Sequence, residues 1–398
     1  MIPYGRQCLN ESDCQAVLRV LRSDYLTTGP EVEAFERDFA HFVGAPHAVA
    51  VCNATAALHL CMLALDVGPG MRVLTSTQTF LASANAAAMA GAIPDFCDVE
   101  EDSFNLCPRS LQASWQDDVR AVVLVHFAGL PCRLVELAAF ARSRGAWVIE
   151  DASHAVGSRF VWEGREWACG AHPWADLSVF SFHPVKTMTA AEGGMITTGN
   201  AALAARLRRL RHHGMERDVS SWVGLGTGSS DLDAKGPWYY EMQELGYNFR
   251  LSDVHAALGR SQLNRIESFI SRRLELRAGY LEAFQDVPWI RTQNPPAWWK
   301  GSGRVSWHLF TMDLDFQLLG RSRPEVMERL RGAGVGSQVL YIPVHLQPWY
   351  QSRYGYGLGK CPVAEALYPR LLSIPMHAGM TDGDQRRVIE AVLSLAVA

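Results

Sequence analysis

The chain has 398 residues, of which 48% are apolar and 20% charged, and it carries a net charge of −4. That length buries a large core and makes two domains the natural division. The near-neutral, slightly acidic balance excludes a general electrostatic reason to bind nucleic acid or an anionic membrane, and the sequence contains no apolar run of about 18 residues that a bilayer-spanning helix needs.

In chain order, a helix at about Asp13–Arg22 is followed by Gly29-Pro30-Glu31, a helix start with proline at the first helical position and acids in the first turn. Its apolar face follows at Val32, Phe35, Phe39 and Phe42. Short apolar runs then predict strands at Ala48–Cys52, Val73–Thr75, Ile93–Phe96, Ala121–His126, Trp147–Ile149, Leu177–Phe182 and Met195–Thr198. Between them, helical patterns fall at Ala54–Leu65, Leu81–Ala90, Leu134–Arg144 and Ala201–Arg211. Strands alternating with helices predict an α/β fold with a mostly parallel central sheet.

Residues 214–247 are rich in glycine, serine, tryptophan and tyrosine, and a connection that long inside an enzyme is more often functional than idle. The glycine run 224–228 within it follows no strand and opens no helix, so it reads as a loop and not as a nucleotide cradle. From Ser252 a helical pattern runs to about Phe284. Strand patterns follow near Ser306–Leu314 and Gln338–Ile342, with helices at Pro324–Gly332 and Asp382–Leu395, the last capped by Thr381. The expected division is an N-terminal arm over residues 1–24, a large domain over 25–250 and a smaller α+β domain over 251–398.

The nine cysteines include no Cys-x-x-Cys pair, so neither a zinc site nor a redox motif is indicated. The start of the chain lacks the apolar core of a signal peptide, and the expected location is the cytoplasm. Of 37 basic side chains only Lys186, Lys235, Lys300 and Lys360 are lysines. Lysine, unlike arginine, can lose its proton and form a Schiff base, so each of the four asks why arginine does not serve.

The strand Trp147–Ile149 delivers Glu150, Asp151 and His154 at its C-terminal end, where open α/β sheets bind ligands. About thirty residues on, Leu177–Phe182 delivers Ser181, His183 and Lys186 to the same edge. A carboxylate and a lysine brought together in this way suit pyridoxal phosphate: the lysine holds the cofactor, and the carboxylate pairs with the pyridine nitrogen. Asn53-Ala54-Thr55 lies between a strand and a helix, a natural phosphate site at a helix N-terminus. Phe80 stands at the next such junction, where an aromatic ring can stack on a flat cofactor. Taken singly, Asp151 reads equally as a turn cap, Lys186 as a surface charge and Phe80 as core.

With these residues in place the sequence resembles the DegT/StrS-type nucleotide-sugar aminotransferases, of the fold type I pyridoxal-phosphate enzymes. The resemblance covers essentially the whole chain. It is carried by Leu26-Thr27-Thr28-Gly29-Pro30, Asn53 to Leu58, Glu150 to Gly157, Ser181-Phe182-His183-Pro184-Val185-Lys186, Glu192-Gly193-Gly194, Arg211 to Gly214 and Gly246 to Arg250. It implies that Lys186 forms the Schiff base, that Asp151 meets the pyridine nitrogen and that His154 lies near the ring hydroxyl. Phe80 is then on the ring face, and Ala54, Thr55 and Ser181 hold the phosphate. Asn248 is implied to reach the cofactor phosphate of a second subunit, which makes the functional unit a homodimer with shared active sites.

Within the family the chain is most similar to the transaminases of pseudaminic acid biosynthesis, through Tyr4-Gly5-Arg6-Gln7, Ser181 to Lys186 and Gln338 to Pro343. This implies amino transfer from L-glutamate to C4 of a UDP-linked 4-keto-6-deoxy-N-acetylhexosamine. The product is UDP-4-amino-4,6-dideoxy-N-acetyl-β-L-altrosamine. By the same resemblance Tyr4, Asp24, Tyr25, Leu26, Thr27, Leu340, Tyr341, Ile342 and Pro343 contact the nucleotide-sugar. His183 is grouped with them, and His308 and His345 are open between pocket and structural roles. Leu340 departs from the histidine that relatives often carry there. Two alternatives stay open: an aminotransferase for another nucleotide-linked 4-keto sugar, of bacillosamine or legionaminic acid type, and a catalytically silent cofactor-binding regulator.

Overall fold

The computed structural model describes residues 1–223, 237–299 and 303–396. The glycine run 224–228, Lys235 and Lys300 lie outside the described residues.

The central sheet contains seven strands: β1 (His47–Val51), β2 (Arg72–Ser76), β3 (Ile93–Cys97), β4 (Val119–Val125), β5 (Trp147–Asp151), β8 (Leu177–Ser181) and β9 (Gly194–Thr198). Two further strands, β6 (Arg159–Trp162) and β7 (Arg165–Ala168), form a hairpin outside it. The sheet order is β1-β9-β8-β5-β4-β2-β3, with β9 antiparallel to both its neighbours and the other pairings parallel. Because successive side chains point to opposite faces, each strand feeds two cores. Ala48 and Ala50 of β1, Val122 and Leu124 of β4 and Phe180 of β8 enter one apolar cluster. Val49, Val51, Ala121, Val123, Leu177 and Val179 enter the other. Burial on both faces is why these strands read as short continuous apolar runs.

The flanking helices begin and end on recognisable chemistry. The first, α1 (Glu11–Leu21), opens on a capping box between Asn10 and Asp13. The second, α2 (Pro30–Val43), has proline at its start and ends on Gly44 at φ +84°, the left-handed cap that glycine adopts without strain. The third, α3 (Ala54–Ala64), is capped by the Asn53 side chain, which accepts from the Ala56 N–H at 2.8 Å. It is apolar all round and nearly all of it is buried. The fourth, α4 (Ala82–Met89), follows β2 after the loop Thr77–Leu81.

The C-terminal part builds a three-stranded antiparallel sheet from Ile290–Thr292, Phe310–Leu314 and Leu371–Ile374. Its core is continuous with that of the large sheet: Phe310, Leu372 and Val388 belong to the same cluster as Phe35 and Leu124. Two expectations are corrected here. The helical pattern from Ser252 to Phe284 is two helices, Asp253–Leu263 and Ile266–Phe284, broken at Asn264-Arg265. The break lets Arg265 reach Asp13 and the Cys8 carbonyl, so that α1 is tied to this region. Residues 338–342 form no strand. Only Gln338 pairs, with Ser373. The backbone beyond it is held by the β2–α4 loop: Gln78 Nε2 donates to the Leu340 carbonyl at 3.1 Å, and the Val344 N–H donates to the Thr77 carbonyl at 3.0 Å.

Among the described residues no helix is long and apolar enough to cross a membrane.

Candidate active site

The C-terminal ends of the parallel strands and the start of antiparallel β9 meet at one sheet edge, over a cavity of about 840 Å³. Tyr4, Ala54, Thr55, Phe80, Asp151, His154, Ser181, His183, Lys186, Leu340 and Tyr341 all line it. The residues expected near the cofactor are thus brought together, with the exception of Asn248.

Lys186 sits five residues beyond β8, in the turn that closes with the Lys186 N–H on the His183 carbonyl. Its side-chain amine makes no hydrogen bond to a described residue. Burial pushes its pKa down to about 8; the positive charge of Arg273 pushes in the same direction, and Asp151 opposes both. The proton is therefore lost near the pH at which a nucleophilic amine is useful. Competitive acylation of the apoenzyme should show Lys186 reacting along a titration curve centred near pH 8, well below an ordinary lysine. A midpoint above pH 10 would remove this basis for its reactivity.

Asp151, at the end of β5, is almost fully buried and makes two hydrogen bonds. Its Oδ1 accepts from the Ser153 N–H at 3.1 Å and its Oδ2 from the Ser83 hydroxyl at 2.7 Å. His154 accepts at Nδ1 from the Ala128 N–H at 3.2 Å, which leaves its proton on Nε2, 3.3 Å from the Tyr341 hydroxyl. Burial, with Lys186 nearby, holds the His154 pKa well below the usual histidine range, so this ring is neutral. Phe80 is exposed to the cavity, with its ring centroid 5.9 Å from that of Tyr341.

At the opposite wall, the first turn of α3 presents backbone donors. Asn53 takes up the Ala56 N–H and the Ala57 N–H, while the Ala54 and Thr55 N–H groups have no partner among the described residues. Gly194 stands so close that an added Cβ would lie 2.6 Å from the Asn53 carbonyl carbon and 2.8 Å from the Ala54 nitrogen. Free helix N-terminal donors beside Ser181, a buried amine and a braced carboxylate form the donor set that a phosphorylated pyridine aldehyde requires. The residues present fit pyridoxal phosphate.

Other expected residues fall elsewhere. Asp24, Tyr25, Leu26 and Thr27 are exposed outside the cavity; the stretch is anchored where Thr27 bridges Ser252 and the Gly29 N–H meets Asp253. Ile342 is exposed and Pro343 buried, and neither lines the cavity. His308 is buried behind His154, ring centroids 4.5 Å apart. His345 is a structural histidine, bridging Thr77 Oγ1 at 2.6 Å and Glu365 Oε1 at 2.9 Å. Asn248 is exposed, next to Phe249, which does line the cavity. The sequence reading missed Ser83, although a hydroxyl inside the alanine-rich stretch Ala82-Ser83-Ala84-Asn85-Ala86 was a signal. It also missed Gln338 and Met89 on the cavity wall.

Behind β5, His126, Glu150 and Cys169 place ligand atoms within 4.8 Å of one another. His126 accepts at Nδ1 from the Cys132 N–H and so keeps its proton on Nε2, aimed at Glu150 Oε1 at 2.7 Å. A metal on Nε2 would require that ring to give up its one N–H proton while Nδ1 still accepts from Cys132. The group is a brace: burial acts to raise the Glu150 pKa, but His172 and His126 outweigh it and hold the carboxyl well below its usual range.

Residues 7–393 match the DegT/DnrJ/EryC1/StrS aminotransferase family. The chain is 38% identical over 392 residues to the spore coat polysaccharide biosynthesis protein SpsC of Bacillus subtilis, covering 98% of this chain and 96% of that one. Among solved structures it is similar to Helicobacter pylori PseC, an aminotransferase involved in the biosynthesis of pseudoaminic acid, with a TM-score of 0.87 and 27% identity over 99% of this chain and 98% of that one. It is equally similar to Spr1654 of Streptococcus pneumoniae in its PMP form, with a TM-score of 0.87 and 26% identity over 99% and 97% of the two chains. The chain, which brings Lys186, Asp151 and the start of α3 to one cavity, belongs to the DegT/DnrJ/EryC1/StrS family of pyridoxal-phosphate-dependent sugar aminotransferases.

Proposed function

We propose that the protein transfers an amino group from L-glutamate to C4 of a UDP-linked 4-keto-6-deoxy-N-acetylhexosamine, giving UDP-4-amino-4,6-dideoxy-N-acetyl-β-L-altrosamine in pseudaminic acid biosynthesis. The observation that carries this reading is the full-length likeness to PseC, joined to a cavity large enough for a hexose beside the cofactor. The cofactor supplies a carbonyl that exchanges amino groups and a ring that takes up the electron pair left by a departing α-proton. Lys186 Nζ, neutral above about pH 8, takes that proton and returns it, as a general base and then a general acid. Asp151 keeps the pyridine nitrogen protonated. His154 would lie near the ring hydroxyl, and Ala54, Thr55 and Ser181 would hold the phosphate. Tyr4 and the Leu340–Tyr341 segment form the sugar wall.

The unit that works is a homodimer with shared active sites, in the cytoplasm. Both substrates are anionic, and among the described residues no arginine lines the cavity. Asn248, which is exposed, is the group a second copy brings to the cofactor phosphate.

SpsC, the relative with the higher identity, is named for spore coat polysaccharide biosynthesis, which favours a different nucleotide-linked 4-keto sugar as the second reading. Incubation with glutamate and the UDP-linked 4-keto sugars of L-arabino and D-xylo configuration, followed by NMR of the products, decides between them. Turnover of the L-arabino substrate to the 4-amino sugar is expected. Exclusive turnover of the D-xylo substrate establishes the second reading. A purified protein that binds the cofactor and leaves glutamate unchanged would instead be the silent regulator.

A further inference from the structure

Two hydroxyl groups stand in line behind the Asp151 carboxylate. Ser83, in the first turn of α4, is fully buried, and its Oγ lies 2.7 Å from Asp151 Oδ2. On its other side it lies 2.8 Å from Thr79 Oγ1, and Thr79 lines the cavity. An ionised carboxylate offers only lone pairs, so the Ser83 proton goes to Asp151. Ser83 Oγ is then an acceptor, and the Thr79 proton fills that place. The donors therefore run in one order, Thr79 to Ser83 to Asp151, and each bond polarises the next.

This direction is not the default for a helix serine, which commonly returns its proton to a carbonyl one turn earlier. Here the hydroxyl crosses from α4 to the end of β5, 68 residues away in sequence. The other oxygen, Oδ1, is held by the Ser153 N–H. With one donor on each oxygen, rotation of the carboxylate about its Cβ–Cγ bond breaks two bonds at once. Each oxygen keeps lone pairs for a further donor arriving from the cavity.

We propose that Ser83, backed by Thr79, is a positioning residue for the cofactor, holding the Asp151 carboxylate in the orientation that meets the pyridine nitrogen. This rests on the reading of Asp151 as the partner of that nitrogen. Without the Ser83 hydroxyl, Oδ2 of the almost fully buried Asp151 loses its one donor, and the carboxylate is free to turn. A hydrogen bond to a charged group is worth more than a neutral one, so the loss is felt where the cofactor binds and not in the fold alone.

The test compares Ser83→Ala, Thr79→Val, Thr79→Ser and Asp151→Asn with the parent enzyme. Each apoenzyme is titrated with pyridoxal phosphate by visible absorbance, the pH at which the bound-cofactor band changes is recorded, and the apoenzyme Tm is measured. Ser83→Ala should raise the cofactor dissociation constant about tenfold and move the pH of the spectral transition. Thr79→Val, of the same shape without the donor, should move both in the same direction by less, and Thr79→Ser should restore them. If Ser83→Ala does not fold, the Thr79 pair carries the same readouts. A wild-type dissociation constant and spectral transition in Ser83→Ala, while Asp151→Asn disturbs both, overturns the relay and leaves the Asp151 reading standing. If Asp151→Asn also leaves both unchanged, the Asp151 reading falls and the relay with it.

Discussion

Replacing Lys186 with arginine is expected to lower amino transfer from the donor to the nucleotide-sugar by at least about 10³-fold, the scale at which general acid–base catalysis contributes, with the protein still folded. The substitution keeps the positive charge and approximate length, so the turn from His183 to Lys186 and the packing around Val185 should survive. What it removes is chemistry. A guanidinium stays protonated at any working pH and does not condense with an aldehyde. It can neither hold the cofactor covalently nor carry the α-proton. The environment sharpens the contrast: burial and Arg273 bring Lys186 to about pH 8, whereas a second arginine there would stay charged beside the first. The measurement is single-turnover conversion with glutamate, together with circular dichroism and cofactor content. A Lys186→Arg enzyme that aminates at close to the parent rate would place the proton transfer on another residue, and the site assignment would have to be rebuilt.

The main parts of the site could be read from the sequence because each is announced locally. Asp151 ends the five-residue strand Trp147–Asp151 and Lys186 follows the five-residue strand Leu177–Ser181, and strand ends in a parallel sheet share one edge whatever the strand order. Ala54 and Thr55 are announced by Asn53, whose capping role depends on residues within one turn. What escaped depends on long-range pairing. The contact of Ser83 with Asp151 exists only because β2 and β5 both flank β4. His345 was open between pocket and structure, and the deciding partners, Thr77 and Glu365, lie 268 and 20 residues away. Residues 338–342 depart from the strand expected of them for a related reason. Val339-Leu340-Tyr341-Ile342 has strand-like composition, but the Leu340 carbonyl is taken by the Gln78 side chain, and Gln338 alone pairs with a sheet neighbour. Composition reports what a backbone prefers, and here tertiary contacts decided which partners it found.

Gly194→Ala should be the most damaging single methyl group in the site. Gly194 opens β9 between Val51 of β1 and Ser181 of β8, with which it is paired on either side. A Cβ there would lie 2.6 Å from the Asn53 carbonyl carbon, 2.7 Å from its oxygen and 2.8 Å from the Ala54 nitrogen. All three are backbone atoms, so no flexible side chain can swing aside. Either β9 leaves its register or the first turn of α3 moves, and the turn is held by the Asn53 side chain and carbonyl on the Ala56 and Ala57 N–H groups while β9 is held by two ladders. The turn should yield, and with it the Ala54 and Thr55 N–H groups proposed to hold the cofactor phosphate. Overpacking of this kind costs about 1–3 kcal/mol of stability, which the apoenzyme Tm will show. The specific loss is measured by comparing pyridoxal phosphate with pyridoxal. In the parent enzyme the phosphate ester should bind far more tightly; in Gly194→Ala its dissociation constant should rise at least about tenfold, as expected when hydrogen bonds to a charged group are lost, and that of pyridoxal should change little. Gly199→Ala, where an added Cβ meets nothing within 4 Å, should leave both constants unaltered. If Gly194→Ala weakens the two ligands equally, the α3 N-terminus is not what reads the phosphate, because only a contact confined to the ester can separate them.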